Sequence, residues 1–322
     1  MQLTLQASLW PTESTLLDAE GYQALVAKVR QVFLAKMHEE RIDLALAEPL
    51  LRVYLPLAAW IDQQKRPDQP FVLGINGAQG SGKSTLCEFL QLILREGFGY
   101  RVAGLSIDDL YKTHAERERL GHDVHPLLVT RGVPGTHDVA LGLAVIGELT
   151  DPNGREVAIP AFDKARDDRR DVSTWQRVQG PVDLVIFEGW CVGASPQSAQ
   201  DLIEPLNELE QREDVDGSWR RHVNAQLAGP YAELFGRIDR LIMLRVPSMQ
   251  CVYEWRSLQE EKLAAKTDAS THHRIMDSSG LKRFIMHYER LTRHMLEEMP
   301  DRADLTLYLN EHHQFTSIHI KH

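Results

Sequence analysis

Apolar residues recur at helical spacing through residues 16–37 (LLDAEGYQALVAKVRQVFLAKM) and again through 44–61 (LALAEPLLRVYLPLAAWI), where Pro49 and Pro56 interrupt the second run. Both segments are expected to be helices. The polar stretch DQQKRPDQP at 62–70 then breaks the period. FVLGIN follows, a short continuous apolar run of the kind that forms a strand buried on both faces. A boundary near residue 70 is therefore expected, with a helical extension over 1–69 and the main domain over 70–322.

From residue 70 onward two patterns alternate. Strands are predicted over 71–76, 101–107, 183–187, 239–246 and 304–309, and helices over about 83–96, 138–149, 221–235, 248–265 and 280–298. Such alternation predicts a doubly wound α/β fold with a mainly parallel five-stranded sheet flanked by helices. DPNG at 151–154 signals a turn, and REVAIPAF after it has the pattern of an extended arm. Residues 195–217 are polar and acidic, which predicts a surface insertion carrying at most one short helix. No internal repeat is present.

Composition narrows the function classes. With 322 residues, 43% hydrophobic and 25% charged, the chain has the make-up of an ordinary globular protein and can bury a large core. A formal net charge of −10 disfavours nucleic acid or an anionic membrane as the main partner, while leaving room for a local basic pocket. Cys87, Cys191 and Cys251 form no CxxC pair, so buried thiols are expected rather than a disulfide framework or a zinc site. The N-terminus has no basic stretch followed by an apolar core, and no run of about 18 apolar residues occurs. A cytoplasmic protein is expected.

The chemistry begins where the first predicted strand ends. GAQGSGKST at 77–85 satisfies GxxxxGK[ST], with a strand before it and a helix after it. Gly77, Ala78, Gln79, Gly80, Ser81 and Gly82, with Thr85 after them, would form the nucleotide cradle, their backbone N–H groups wrapped around phosphate oxygens at the positive N-terminus of the helix predicted from about residue 83. Lys83 would meet the β- and γ-phosphates, and the Ser84 hydroxyl is suited to Mg²⁺. A bound nucleoside triphosphate follows. The chain has no NKxD motif, and VDLVIFEGW lacks a paired Asp-Glu, which disfavours a GTPase switch and a helicase.

SIDDLY at 106–111 sets Asp108 and Asp109 side by side just past the second apolar run. Ligands of such sheets gather beyond the carboxyl ends of the strands. A carboxylate there can accept the proton of an attacking hydroxyl or hold Mg²⁺ through water. The same pair would also suit a helix N-cap before Leu110. Glu188 ends another apolar strand and offers a second carboxylate to the magnesium environment, with Gly189 allowing close backbone approach. In RGVPGTHD, Arg131 supplies a forked donor for a carboxylate or phosphate, and Gly132 and Gly135 permit a tight turn. His137 is a candidate substrate or phosphate contact, and Asp138 a helix N-cap. Arg256, Lys262 and Lys266 can share one helix face. The 14 histidines match no metal-binding spacing. Leu309 and Asn310, at the end of the last predicted strand, are candidate adenine-side residues.

Taken in order, GAQGSGKST, SIDDLYKT, RGVPGTHD, IPAFDKARDDR, FEGW, VYEWRSLQEEKL and FIMHYERLTRHM resemble the P-loop kinases of small metabolites, the group of uridine kinase, phosphoribulokinase and pantothenate kinase. Within it the chain is most similar to the plant-type D-glycerate 3-kinases and their bacterial and fungal relatives, over roughly residues 70–315. The resemblance implies that Asp108 is the catalytic base, at the SxDxFY position where Leu110 here replaces the usual Phe. Asp109 would be its helper or lie in the metal shell, Tyr111 is the motif aromatic on the substrate side, and Glu188 takes the Walker B position. Asp163 and Lys164 match the motif that recognises the acceptor's hydroxyl and carboxylate. The later charges, Arg166 and Arg169 among them, have the pattern of a solvated run. Residues 248–266 would form a lid whose first base is Arg256.

ATP and Mg²⁺ are the implied cofactors, with Ser84, Asp108 and Glu188 around the metal. The implied reaction is ATP-dependent phosphorylation of D-glycerate to 3-phosphoglycerate. Another acceptor (uridine, pantothenate or a sugar phosphate) stays open, as does an ATP-binding switch or assembly protein with no metabolite kinase activity. Oligomeric state is not legible.

Overall fold

The computed structural model describes residues 9–11, 16–264 and 278–321, with backbone only for 259–264 and 278–279. Two helices come first, α1 (Ala19–Glu39) and α2 (Ala47–Gln64). In α1, Leu25, Val29, Phe33 and Met37 repeat every four residues and are buried, while Asp18 caps the start by accepting from Gly21 N–H. Burying each of those side chains contributes about 1.5–3 kcal/mol. The interruption expected at Pro49 and Pro56 does not break α2. Pro49 lies in its first turn, and the helix continues through Pro56. By length and composition the segment Leu44–Gln64 could cross a membrane, yet Leu55, Leu57, Ala58 and Ile61 are fully buried inside the protein.

After these helices the chain runs β1 (Phe71–Gly77), α3 (Lys83–Phe98), β2 (Val102–Ser106), α4 (His114–Asp123) and α5 (Val139–Thr150). An arm follows, made of β3 (Glu156–Ile159), β4 (Phe162–Asp163), β5 (Asp168–Arg169) and β6 (Gln176–Gln179). Here β3 pairs antiparallel with β6, and β4 with β5. Then come β7 (Leu184–Gly189), α6 (Glu208–Glu213), α7 (Ser218–Ala228), α8 (Pro230–Phe235) and β8 (Arg240–Arg245). The chain closes with α9 (Met249–Ala264), α10 (Ser278–Arg302), β9 (Leu305–Leu309) and β10 (Phe315–Ile320).

The central sheet has the order β10-β9-β8-β1-β7-β2, with five parallel strands and β10 antiparallel at one edge. All five expected strands are present. The sixth, FTSIHI, escapes the apolar-run criterion because only Ile318 of its six positions is buried. Alternate residues of the inner strands feed two cores. Leu73, Ile75, Leu184, Ile186 and Ile242 face α1, α2 and α3, whereas Val72, Val185, Phe187 and Met243 face α5, α8 and α10. The helix expected over 221–235 is two helices, because Gly229 leaves helical geometry and Pro230 starts a new one.

The polar stretch 195–217 carries a single turn at Gln200–Leu202 and α6. It is not simply a surface insertion. Glu210 and Asp214 are fully buried, Glu210 bonded to Arg290 at 2.7 Å and Asp214 to Arg220 at 2.8 Å. The three cysteines are buried free thiols.

Candidate active site

β1 is buried along all seven residues and delivers the chain to the phosphate loop at a fixed height. Asn76, buried at its end, donates to the carbonyls of Trp190 and Val192, so the loop is tied to the end of the neighbouring β7. Gly80 and Gly82 have φ of +80° and +83°, a region open to glycine. At Gly80 space is also short, since a Cβ there would stand 2.8 Å from Trp255 Cβ. The base of α9 thus rests directly on the phosphate loop. The Ser81 hydroxyl is buried with no protein partner, as expected of a donor facing a phosphate.

Parallel pairing sets the second element of the site. In the sheet register Glu188 lies level with Ile75 of β1 and Ser106 of β2. Its carboxylate is 2.7 Å from Lys83 Nζ and accepts from the Ser84 hydroxyl at 3.4 Å. Burial alone would lower Lys83, but Glu188 and Asp108 outweigh it and hold the ammonium above its ordinary range. Among the described residues no cluster of three or more His, Cys, Asp or Glu is assembled for a metal. A hydroxyl and a carboxylate do fit Mg²⁺, which takes few protein oxygens beside phosphate and water.

Asp108 follows β2 on a single helical turn, Ile107–Leu110, whose start is capped by the Ser106 hydroxyl. Lys164 Nζ donates to its Oδ2 at 2.6 Å and the Tyr111 hydroxyl to its Oδ1 at 3.0 Å. Burial would raise this carboxyl, yet Lys164 and Lys83 prevail and hold it well below the usual carboxylate range. Asp108 is therefore ionised, flanked by one lysine from the arm and one from the phosphate loop.

Several expected substrate residues hold the site together instead of lining it. Asp109 accepts from the Phe162 N–H at 3.0 Å and anchors the arm, and burial pushes its carboxyl up. Tyr111 is buried and stacked on His137 at 4.5 Å between ring centroids. His137, 1% exposed, bonds through Nδ1 to the Tyr231 hydroxyl at 2.6 Å, and burial pushes it down to about 3, so it is neutral. Both rings back Asp108 rather than face an open pocket. Arg131 is engaged by Asp167, which also pairs with the buried Arg117 at 3.0 Å. Asp163 accepts from the N–H groups of Ala165 and Arg166 and so shapes the turn that presents Lys164. Arg166 is exposed, as expected of a solvated run, but Arg169 is not solvated. It reaches inward to the Tyr111 carbonyl at 3.0 Å and Asp138 at 3.2 Å. Asp138 caps α5 as expected.

Comparison with known proteins follows the same lines. No protein-family model matches the chain. It is 35% identical over 239 residues to an uncharacterized kinase of Schizosaccharomyces pombe, across 71% of this chain and 82% of that one. It is 29% identical to the chloroplastic D-glycerate 3-kinase of Arabidopsis thaliana, across 71% of this chain and 51% of that longer one. The D-glycerate 3-kinase structure from Cryptococcus neoformans superposes with a TM-score of 0.65 at 25% identity, covering 83% of this chain and 96% of that one. The chain belongs to the D-glycerate 3-kinase family of P-loop kinases. It is a small-molecule kinase, a phosphotransferase acting on a hydroxyl.

In this family member α9, the expected lid, begins with Cys251, Val252 and Trp255 in the core, and the Arg256 guanidinium lies over the Phe284 ring at 5.5 Å. Of the other lid bases, Lys262 has only its backbone described and Lys266 lies outside the described residues. The expected adenine-side pair stands at the end of β9, and the turn beyond it approaches the phosphate loop. Leu309 is in the core, and Asn310 caps the turn between β9 and β10 by accepting from His312 and Gln314 N–H. His313 makes that approach, with Nε2 2.9 Å from the Gly80 carbonyl and its ring stacked on Trp255 at 3.8 Å. Neither His313 nor Asp167 carries a local signal in the sequence; both are single polar residues in polar runs, placed by contacts distant along the chain.

Proposed function

We propose that this kinase transfers the γ-phosphoryl of ATP to the 3-hydroxyl of D-glycerate, forming 3-phosphoglycerate and ADP. The observation that carries the reading is the Lys164–Asp108 pair beside Lys83 and Glu188. It joins a candidate base to a solvent-facing cation, the combination a small hydroxy acid requires. In this reading the acceptor's carboxylate draws the Lys164 ammonium, and its hydroxyl comes to Asp108. The hydroxyl oxygen attacks the γ-phosphorus, Asp108 takes the proton, and the bond to the bridging oxygen breaks as ADP leaves. Lys83 exchanges Glu188 for the β- and γ-phosphates, and Arg256 swings from Phe284 to offset charge on the transferring group. Mg²⁺, held by Ser84 with Glu188 and Asp108 around it, would neutralise phosphate charge. Closure of α9 would keep water from the phosphoryl group.

The test is ADP release with Mg·ATP across D-glycerate, L-glycerate, pantothenate, uridine and ribulose 5-phosphate, beside Asp108→Asn. Turnover with D-glycerate, reduced about 10²- to 10⁴-fold in the variant, is expected. Pantothenate also bears a carboxylate, so turnover with it alone would keep the role of Lys164 and overturn the acceptor. Turnover with uridine alone would overturn both. ATP binding with no transfer to any acceptor would favour a nucleotide-binding switch.

A further inference from the structure

The turn joining β9 to β10 reaches the phosphate loop through a residue that the chemistry above does not use. Asn310 builds the turn. Its side-chain oxygen accepts from the His312 and Gln314 N–H groups, and its carbonyl accepts from the His313 N–H at 3.1 Å. His313 sits there at a φ of +60°, a left-handed conformation that costs a residue other than glycine some free energy. Its ring stacks on Trp255 at 3.8 Å with 28° between the planes, and the Trp255 indole N–H donates to the Glu311 carbonyl of the same turn at 3.1 Å. A carbonyl oxygen can only accept, so the 2.9 Å contact with Gly80 places a proton on His313 Nε2.

We infer that His313 is a positioning residue of the nucleotide cradle, which fixes the peptide plane between Gly80 and Ser81 by holding its carbonyl from outside. The inference rests on the proposed function only for ATP as the nucleotide, not for the acceptor. Gly80, at a φ of +80°, has no side chain to restrict its backbone, so local sterics leave that plane free to turn. In the structure the plane is held at both ends, its carbonyl by His313 and its N–H, that of Ser81, by the Ala78 carbonyl at 3.1 Å. The same plane directs the buried Ser81 hydroxyl and leads into the first turn of α3. Without the outside contact the loop would divide among several orientations. Only the competent fraction takes phosphate, and the apparent affinity falls with that fraction.

The experiment titrates Mg·ATP and Mg·ADP by calorimetry without acceptor, with His313→Gly and His313→Gln beside wild type and a thermal melt of each. Glycine accepts the +60° φ and removes the ring, whereas glutamine carries an amide N–H as many bonds from Cβ as His313 Nε2 and so restores the donor. His313→Gly is expected to weaken both nucleotides about three- to fivefold, the lower part of one hydrogen bond's worth because the ring is exposed. In turnover the loss should fall on the KM for ATP, with the acceptor KM within about twofold of wild type. His313→Gln is expected to bind both nucleotides within about twofold of wild type. Unchanged nucleotide affinity in His313→Gly would overturn the inference. So would equal weakening in His313→Gln, the mark of a ring that stacks on the base instead of a donor that holds the loop. A clearly lowered melting temperature with both KM values raised, the mark of a packing role, would overturn it too. Because binding is read without acceptor, the two readings fail separately. No turnover with D-glycerate would sink the proposed acceptor and leave this test intact.

Discussion

Replacing Lys164 by Met tests the acceptor side of the site most directly. Its Nζ lies 2.6 Å from Asp108 Oδ2, and its side chain is 61% exposed. Two unit charges at that separation attract by ~1.6 kcal/mol in water and ~6 kcal/mol at an effective dielectric of 20. Exposure and salt place this pair near the lower figure. An acceptor carboxylate that takes over the ammonium meets the same screening, so its loss should cost about 1.5–2 kcal/mol, or about 10- to 30-fold in the acceptor KM. The fold should not notice, because an exposed pair contributes about 0.2–1 kcal/mol to stability. The assay is steady-state ADP release with each substrate varied in turn, together with a thermal melt. The expected pattern is a raised KM for D-glycerate, an unchanged KM for ATP and a melting temperature within a few degrees of wild type. An unchanged acceptor KM would refute the reasoning, and so would equal losses for both substrates.

Other expectations reach the supporting structure. Gly132→Ala adds a Cβ 2.2 Å from the Tyr288 hydroxyl at a φ of +144°, and should destabilise by about 2–4 kcal/mol in urea unfolding. Asp167→Asn strands the 1%-exposed Arg117 and releases Arg131; with Asp167 itself partly exposed, a loss of about 2–3 kcal/mol at neutral pH is expected. Arg117 and Arg131 hold the Asp167 carboxyl low against its burial, so this stabilisation is full above the ordinary carboxylate pKa. It fades as pH falls through the lower folded value, and the variant and wild type should converge in acid. His137 is depressed in the opposite sense of charge. Burial pushes it to about 3 while the unfolded imidazole titrates at about 6.5, so stability should fall by about 2 kcal/mol from pH 7 to pH 5, and His137→Gln should remove that part of the slope.

The legible parts of this protein are those whose physics is local. GAQGSGKST declares itself because consecutive backbone dihedrals and N–H directions make the phosphate cradle, and only glycine satisfies them at Gly80 and Gly82. FVLGIN and VDLVIFEGW read as central strands because a strand covered on both faces must be apolar at nearly every position. With right-handed crossovers, that was enough to set Asp108 and Glu188 at the same end of the sheet as the phosphate loop. The edge strand FTSIHI was not legible, since a strand with one neighbour and a single buried position has no such signature. Side-chain direction was not legible either. Asp109 and Asp163 have the chemistry of substrate ligands, yet both serve backbone N–H groups of the arm. Tyr111 and His137 sit behind the candidate base, and Arg131 is engaged by Asp167, because residues from α8, α10 and the arm meet them there.

The sequence by itself determined the nucleotide cradle, the parallel sheet and the pair of carboxylates at its mouth, since each follows from local geometry or from burial on a repeating period. Only the tertiary structure decided which polar side chains face the acceptor and which hold the site in place. That choice depends on which donors and acceptors from remote segments reach one another first, and a buried polar group takes whichever partner the packing supplies.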